Sequence, residues 1–139
     1  MLKGLLELSY YENPGASLGM LGDFAYKNLL FFVITVFALV IFGYLFKSSD
    51  FKHKKLYSIS IAFFISGTLG NAIDRAIYGF VIDFLHYPFL DILNKIPGLN
   101  NFTNNMADNF LVAGIIMFAI DLFFYEPKRT KHEKDAQNA

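Results

Sequence analysis

The chain has 139 residues, a length that one domain accounts for, and 55% of them are hydrophobic. Its formal net charge is zero, so no overall electrostatic field would attract nucleic acid. It contains no cysteine, which excludes disulfides, thiol catalysis and cysteine metal sites, and its three histidines lack any metal-binding spacing.

The N-terminal segment predicts a strand followed by a turn. Residues 4–12 alternate roughly between apolar and polar side chains and include two tyrosines, a pattern typical of a strand on a surface. Asn13, Pro14 and Gly15 follow, and all three residue types favour turns.

Three apolar stretches then predict a polytopic membrane protein that is an all-α bundle of transmembrane helices. No charged residue interrupts the first two stretches, and only Asp121 interrupts the apolar run 110–125 of the third. Each is long enough for a helix to cross a hydrocarbon core of ~30 Å, which takes about 20 residues. We predict spans at about 28–46, 56–73 and 106–125, and we expect the last to end at the latest at Pro127. We interpret Asp121 as an end-of-span residue outside any site.

The distribution of lysine and arginine predicts the orientation. These residues crowd the link at 47–55 and the segment after 125, whereas 76–104 carries only Lys95. Because such residues mark the cytoplasmic side, we expect the segments 1–27 and 76–104 to be extracytoplasmic. Residues 1–125 would form a single membrane-embedded domain, and 126–139 a charged cytoplasmic tail that is disordered from residue 128.

Three spans with a cytoplasmic C-terminus place Met1 outside, although no signal or anchor precedes Lys27. A fourth span before the first one would place the N-terminus on the cytoplasmic side and remove this conflict. We therefore expect one span to be missing from the chain.

The outer segment predicts one short helix. Phe89, Ile92, Leu93 and Ile96 recur at helical spacing, and Pro97 with Gly98 would end the helix. An ordinary surface helix and a lid over a substrate are equally good interpretations of this pattern.

Polar residues gather near the outer ends of the second and third spans. Asn71 and Arg75 are spaced i,i+4, and Asn105 and Asp108 are spaced i,i+3, so each pair shares a helix face. Asp83 lies between these clusters, and carboxylates near hydrocarbon are rare and usually functional. Two close carboxylates share one proton, so one can deprotonate a water while the other polarises a peptide carbonyl. We predict that Asp83 and Asp108 are this catalytic pair.

Other interpretations stay open at this point. The preferred interpretation of Asp74 is structural, as an ion pair with Arg75. Gly67 and Gly70 are more typical of close helix packing than of catalysis. Intramembrane acids also serve proton or solute transporters, and an assembly protein without enzymatic activity is a further alternative.

Four motifs, in order over about residues 5–125, resemble those of the lipoprotein signal peptidases, or signal peptidase II. They are Asn13-Pro14-Gly15-Ala16, Gly70-Asn71-x-x-Asp74-Arg75, Gly79-x-Val81-x-Asp83-Phe84 and Asn105-x-Ala107-Asp108.

The resemblance implies a multi-pass aspartic endopeptidase of the bacterial plasma membrane, with four transmembrane helices and a small extracytoplasmic β-cradle. Such enzymes cut diacylglyceryl-modified prolipoproteins just before the lipidated cysteine, on the extracytoplasmic side. It assigns catalysis to Asp83 and Asp108, and supporting or substrate-binding roles to Asn71, Asp74, Arg75, Asn105 and Asn13. It implies no cofactor or metal. We expect partners to be the signal peptides and membrane lipid, with the chain acting as a monomer.

Three departures from the family pattern accompany the resemblance. The first transmembrane helix of the family has no counterpart here, in line with the parity argument, so an inactive truncated homologue is an alternative. Ser17 and Leu18 replace the usual alanine and phenylalanine of the first motif. Asn104 replaces a common phenylalanine, and the outer loop before it is longer than usual.

Overall fold

The structure is a computed structural model that describes residues 4–15, 23, 25–95 and 103–138. The elements in chain order are β1 Glu7–Asn13, α1 Lys27–Phe46, α2 Lys55–Tyr78, β2 Val81–His86, a 3-10 helix Pro88–Lys95, β3 Thr103–Asn104, α3 Met106–Ile120, a π-helical turn Asp121–Tyr125 and α4 Glu126–Gln137.

Three helical stretches are long and apolar enough to cross a membrane. They are Lys27–Phe46, Lys55–Tyr78 and the continuous run Met106–Gln137. α1 buries almost none of its apolar side chains inside the protein, as expected for a helix whose surroundings are lipid. The prediction of a mainly helical membrane protein with a small sheet is confirmed.

α2 and α3 approach each other closely because glycines line their interface. A Cβ atom added at Gly67 would lie 2.5 Å from the carbonyl oxygen of Ala107, and one at Gly70 would lie 2.9 Å from the Ala107 Cβ. Gly114 faces the Phe64 ring in the same way, at 3.0 Å. Small residues allow such backbone contact in membrane helices, so the interpretation of Gly67 and Gly70 as packing residues is confirmed.

α2 continues beyond residue 73, where the sequence placed the end of the span. It ends at Gly79, whose φ of 81° is the left-handed conformation that terminates many helices, and the Gly79 N–H donates to the Arg75 carbonyl. The polar residues Asn71, Asp74 and Arg75 therefore all lie within regular helix. The chain then reverses directly into β2.

The sheet has the order β1-β2-β3, and both pairings are antiparallel. Tyr11 pairs with Asp83 and Leu85 pairs with Asn104, so β2 is the central strand. Val81, Asp83 and Leu85 point into the protein, since side chains alternate along a strand. The strand predicted near residues 4–12 is present as β1, whereas the sequence did not identify β2 or β3.

The short helix predicted near 89–96 is a 3-10 helix over Pro88–Lys95. The His86 Nε2 lies 2.9 Å from an Asp91 carboxylate oxygen, which ties this helix to the sheet. The predicted end of the helix at Ile96, Pro97 and Gly98 lies outside the described residues.

The prediction that the tail from residue 128 is disordered is wrong for the chain through Gln137, which is helical. The helix also continues past Pro127, where the sequence placed the end of the third span. Pro127 has no N–H to donate to the preceding turn of the helix. The wider π-helical turn before it allows the helix to continue in spite of this missing hydrogen bond. Arg129 then donates to both carboxylate oxygens of Asp121, at 2.9 and 2.6 Å, and holds α4 against that turn. This pairing also places Asp121 outside the polar cluster of the outer segment, as the sequence predicted.

Candidate active site

Two carboxylates reach one end of the helix bundle from different elements. Asp83 lies at the middle of the central strand and is only 2% exposed. Asp108 is the third residue of α3, which begins at Met106. A sheet and a helix N-terminus therefore hold the two acids, and both elements are anchored through backbone hydrogen bonds.

The Asp83 carboxylate accepts hydrogen bonds from two buried asparagine amides. Asn13 Nδ2 lies 3.0 Å from Oδ2, and Asn105 Nδ2 lies 3.5 Å from Oδ1. The Asn13 amide has a fixed orientation, because its oxygen accepts the Gly15 N–H at 3.0 Å and its NH₂ group is thereby directed at Asp83. The turn after β1 thus positions a donor for the carboxylate.

Asp108 belongs to a capping box at the start of α3. The Asn105 side chain accepts the Asp108 N–H at 2.9 Å, and the Asp108 carboxylate accepts the Asn105 N–H at 3.2 Å. Asn71, from the last third of α2, donates to the other Asp108 oxygen at 2.9 Å. Folding of the helix terminus therefore fixes the position of this carboxylate.

Asn105 connects the two halves of the site. Its NH₂ group donates to Asn71 Oδ1 at 2.8 Å as well as facing Asp83, and it is only 4% exposed. One hydrogen-bond network therefore contains both aspartates, and their side chains converge. The assignment of Asp83 and Asp108 as catalytic residues stays a prediction.

Burial raises the pKa of Asp83 from 3.8 to about 6. The Asn13 hydrogen bond and the positive charge of Arg75 act in the opposite direction, and the negative charge of Asp108 raises the pKa further. This carboxyl can therefore hold or release a proton close to neutral pH. A group of that kind is suited to acid–base chemistry.

Arg75, on α2, contacts the turn after β1 and also α1. Its guanidinium donates to the Gly15 carbonyl at 2.9 Å and to the Asn71 carbonyl at 3.4 Å, and it lies 4.4 Å from the centre of the Phe31 ring. It thereby links the turn after β1 to α2 and α1.

Asp74 accepts the Ile82 N–H at 3.1 Å and so supports the turn into β2. No ion pair joins Asp74 and Arg75 among the residues that the structure describes, so that interpretation is wrong. Consecutive helical residues point in directions about 100° apart, which separates the two side chains.

The sequence did not identify a second polar group beside the capping box. Asn109 exchanges hydrogen bonds with the Tyr87 hydroxyl at 3.0 and 3.3 Å, and its amide oxygen also accepts from Asn104 at 3.2 Å. Asn104, which departs from the family pattern, thus has a partner. The other departures, at Ser17 and Leu18, lie outside the described residues.

A cavity of about 200 Å³ lies next to Arg75, between α1 and α2. Its lining is mostly apolar, with Asn28, Phe31, Phe32, Thr35, Ala72, Arg75 and Ala76. In the described part of the chain no three histidine, aspartate or glutamate side chains converge as a metal site requires.

Comparison with known proteins gives consistent matches. The family model described as signal peptidase (SPase) II matches residues 1–124. The lipoprotein signal peptidase of Caldanaerobacter subterraneus is 32% identical over 124 residues, covering 89% of this chain and 75% of that protein. The lipoprotein signal peptidase of Enterococcus faecalis is 34% identical over 137 residues, covering 99% of this chain and 76% of that protein.

Two solved structures of bacterial membrane enzymes, determined by the in meso method, share the fold. The one at 2.3 Å resolution has a TM-score of 0.68 and 29% sequence identity, and the match covers 88% of this chain and 68% of that chain. The one at 1.9 Å resolution has a TM-score of 0.69 and 28% identity, and the match covers 90% and 74%.

Proposed function

We propose that this chain, which belongs to the signal peptidase II family of membrane proteases, cleaves prolipoproteins by attack of a water held between Asp83 and Asp108. Membership confirms the resemblance drawn from the four sequence motifs. The proposal adds the aspartic mechanism, the roles of individual residues and the cleavage position, immediately before a diacylglyceryl-modified cysteine.

The single observation that carries the proposal is the shared hydrogen-bond network of the two aspartates. Asp83 and Asp108 come from separate elements, yet Asn105 faces one and caps the other. A buried carboxylate such as Asp83 is costly unless it is paired or functional. Two carboxylates that share one proton are the arrangement that aspartic hydrolases use.

The two carboxylates have different surroundings, which assigns different roles. The raised pKa of Asp83 suits it to hold the shared proton. Asp108 accepts two hydrogen bonds, from the Asn71 amide and from the Asn105 backbone N–H, and it lies at the positive end of the α3 dipole. These interactions favour its ionised form, so it acts as the base. Asp108 takes a proton from the water as the oxygen attacks the scissile carbonyl carbon. Asp83 gives its proton to the carbonyl oxygen.

Collapse of the tetrahedral intermediate completes the reaction. The C–N bond breaks, the leaving amine takes the proton held by Asp108, and the hydroxyl proton returns to Asp83. The amide groups of Asn13, Asn71 and Asn105 keep the carboxylates in place through both steps, so that little reorganisation is needed.

The substrate would enter sideways from the bilayer. α1 is exposed along its length, and the apolar cavity beside Arg75 opens next to the network. Burial of the acyl chains of the diacylglyceryl group contributes to binding, at about 0.8 kcal/mol per CH₂. The positive-inside rule favours an extracytoplasmic site and a cytoplasmic C-terminus in the bacterial plasma membrane. One chain supplies the whole network, which supports action as a monomer.

The test is processing of a diacylglyceryl-modified prolipoprotein by the protein reconstituted in liposomes, followed as a shift on a gel. Asp83→Asn and Asp108→Asn should each abolish the shift, whereas Asp135→Asn, on the exposed face of α4, should process normally. Prolipoprotein without the diacylglyceryl group should not be cut. Processing that survives either active-site substitution would rule out the aspartic mechanism. A wild-type chain without activity would identify an inactive homologue.

A further inference from the structure

A separate cavity, with several charged lining residues, lies at the opposite end of the helices from the aspartates. We call it the basic cavity, and it measures about 270 Å³, several times the volume of a water molecule. Its lining comes from the α1–α2 link, the start of α2, the π-helical turn and α4. The lining residues are Lys52, His53, Lys55, Leu56, Asp121, Tyr125 and Arg129.

The lining carries more positive than negative charge. Lys52, Lys55 and Arg129 are cations, and Asp121 is the one carboxylate among the lining residues. Asp121 is 2% exposed and both its oxygens are engaged by Arg129. No carboxylate of the described residues forms an ion pair with Lys52 or Lys55. These two ammonium groups are therefore available to an anion.

The carboxylates next to the basic cavity are engaged elsewhere. Asp50 accepts the backbone N–H groups of Lys52 and His53 at 2.8 and 2.9 Å and lies 2.8 Å from the His53 ring. These hydrogen bonds lower the pKa of Asp50 to about 2, so it stays ionised without contacting either lysine side chain. Glu126 pairs with Arg129 at 2.6 Å.

The start of α2 offers further donors at this position. α2 begins at Lys55, and Lys54 before it provides no side-chain cap for the first N–H groups. Unsatisfied N–H groups at a helix N-terminus favour an anion, and here they add to the charge of the cavity.

Exposed aromatic residues adjoin the lining in sequence. Phe51 precedes Lys52 and is 53% exposed, and Phe123 and Phe124 precede Tyr125 and are 71% and 64% exposed. Acyl chains would gain affinity from such an apolar surface, because each CH₂ group that they bury contributes to binding. Inorganic phosphate has no apolar part and would gain nothing from it.

We propose that the basic cavity binds the phosphate of an anionic phospholipid headgroup, with the acyl chains lying along Phe51, Phe123 and Phe124. The ligand would fasten the α1–α2 link to α4 at the end remote from the chemistry. The proposal uses no feature of the proposed peptidase reaction and can fail or succeed independently of it.

The test measures lipid binding to the full chain in a neutral detergent. Phosphatidylglycerol, phosphatidylcholine and inorganic phosphate are titrated separately, and retained lipid is counted by native mass spectrometry. The wild type should bind phosphatidylglycerol at least tenfold more tightly than either of the other two probes. Equal binding of inorganic phosphate would overturn the lipid assignment, and equal binding of phosphatidylcholine would overturn the role of charge.

Matched double variants locate the site. Lys52→Gln with Lys55→Gln should weaken phosphatidylglycerol binding by about 25-fold, since each basic residue near an anionic lipid is worth about fivefold. Lys131→Gln with Lys134→Gln removes the same charge from exposed positions of α4 and should weaken it by less than about threefold. Equal losses in the two variants would show general surface attraction and overturn the proposal. Circular dichroism checks that both variants fold.

Discussion

Asn in place of Asp83 should change the pH dependence of stability. Burial raises the pKa of Asp83 from 3.8 to about 6, so the folded chain binds this proton more tightly than the unfolded chain does. The stabilisation that the protonated carboxyl provides is complete below pH about 4 and is lost as pH rises through about 6. A shift of about 2 units corresponds to about 3 kcal/mol between these limits.

The variant Asp83→Asn is neutral at every pH and escapes that loss. Its amide presents an NH₂ group to one of the two asparagine donors that face Asp83, which costs roughly 1–3 kcal/mol at all pH values. The difference in stability between variant and wild type should therefore move by about 3 kcal/mol in favour of the variant between pH 4 and pH 8. In melting temperature that is about 6–12 °C for a chain of this size.

The assay is thermal unfolding in detergent, followed by circular dichroism at pH 4 and pH 8, for wild type, Asp83→Asn and the control Asp135→Asn. Using the difference between proteins cancels the titration of the groups that do not interact with Asp83. The control removes an exposed carboxylate and should stay within about 0.5 kcal/mol of wild type at both pH values. A difference for Asp83→Asn that is the same at pH 4 and pH 8 would refute the reasoning, because Asp83 would then not be desolvated by folding.

Three further outcomes are expected. If Asp83 holds the shared proton, as proposed, kcat/KM for prolipoprotein cleavage should fall as pH rises through about 6. A rate that increases through this pH would contradict the proposed role of Asp83 as the acid. Asn105→Ala removes a helix cap and a link between the aspartates, so it should cost about 1 kcal/mol and slow cleavage by about 100-fold in single-turnover assays. Gly67→Ala should destabilise the protein by about 1–3 kcal/mol in thermal unfolding, because the added Cβ would contact Ala107. The control Gly43→Ala adds a Cβ in open space and should be neutral or slightly stabilising. Equal effects of the two substitutions would argue against the close helix contact.

The sequence was sufficient to predict the three apolar helices and the shared helix face of Asn105 and Asp108. Uninterrupted apolar stretches identify spans regardless of partners, and Asn105 and Asp108 share a face through simple helical spacing. It was insufficient for β2 and β3, because short strands inside a mostly apolar segment show no clear alternation. Asp83 was located from the cost of a carboxylate near hydrocarbon, not from any predicted strand.

The C-terminal helix was missed for a different reason. Composition and Pro127 both argued against helix after residue 125, and both arguments are local. The π-helical turn and the ion pair of Arg129 with Asp121 maintain the helix. Helix propensities describe single residues, so they do not include a side-chain pair that spans two turns. The same limit applies to Asp74, whose neighbour Arg75 suggested an ion pair, while the actual partner is a backbone N–H of the strand that follows.

The order of the sheet has a consequence for when the site comes into existence during synthesis. β1 lies before α1, β2 follows α2, and β3 directly precedes α3, so the strands that meet around Asp83 are separated by two long helices and an outer segment. Asn13 contacts a residue 70 positions later, and Asn105 arrives later still. A nascent chain therefore has no assembled pair of acids until the ribosome has made the start of α3, and the proposed peptidase activity cannot begin before that point.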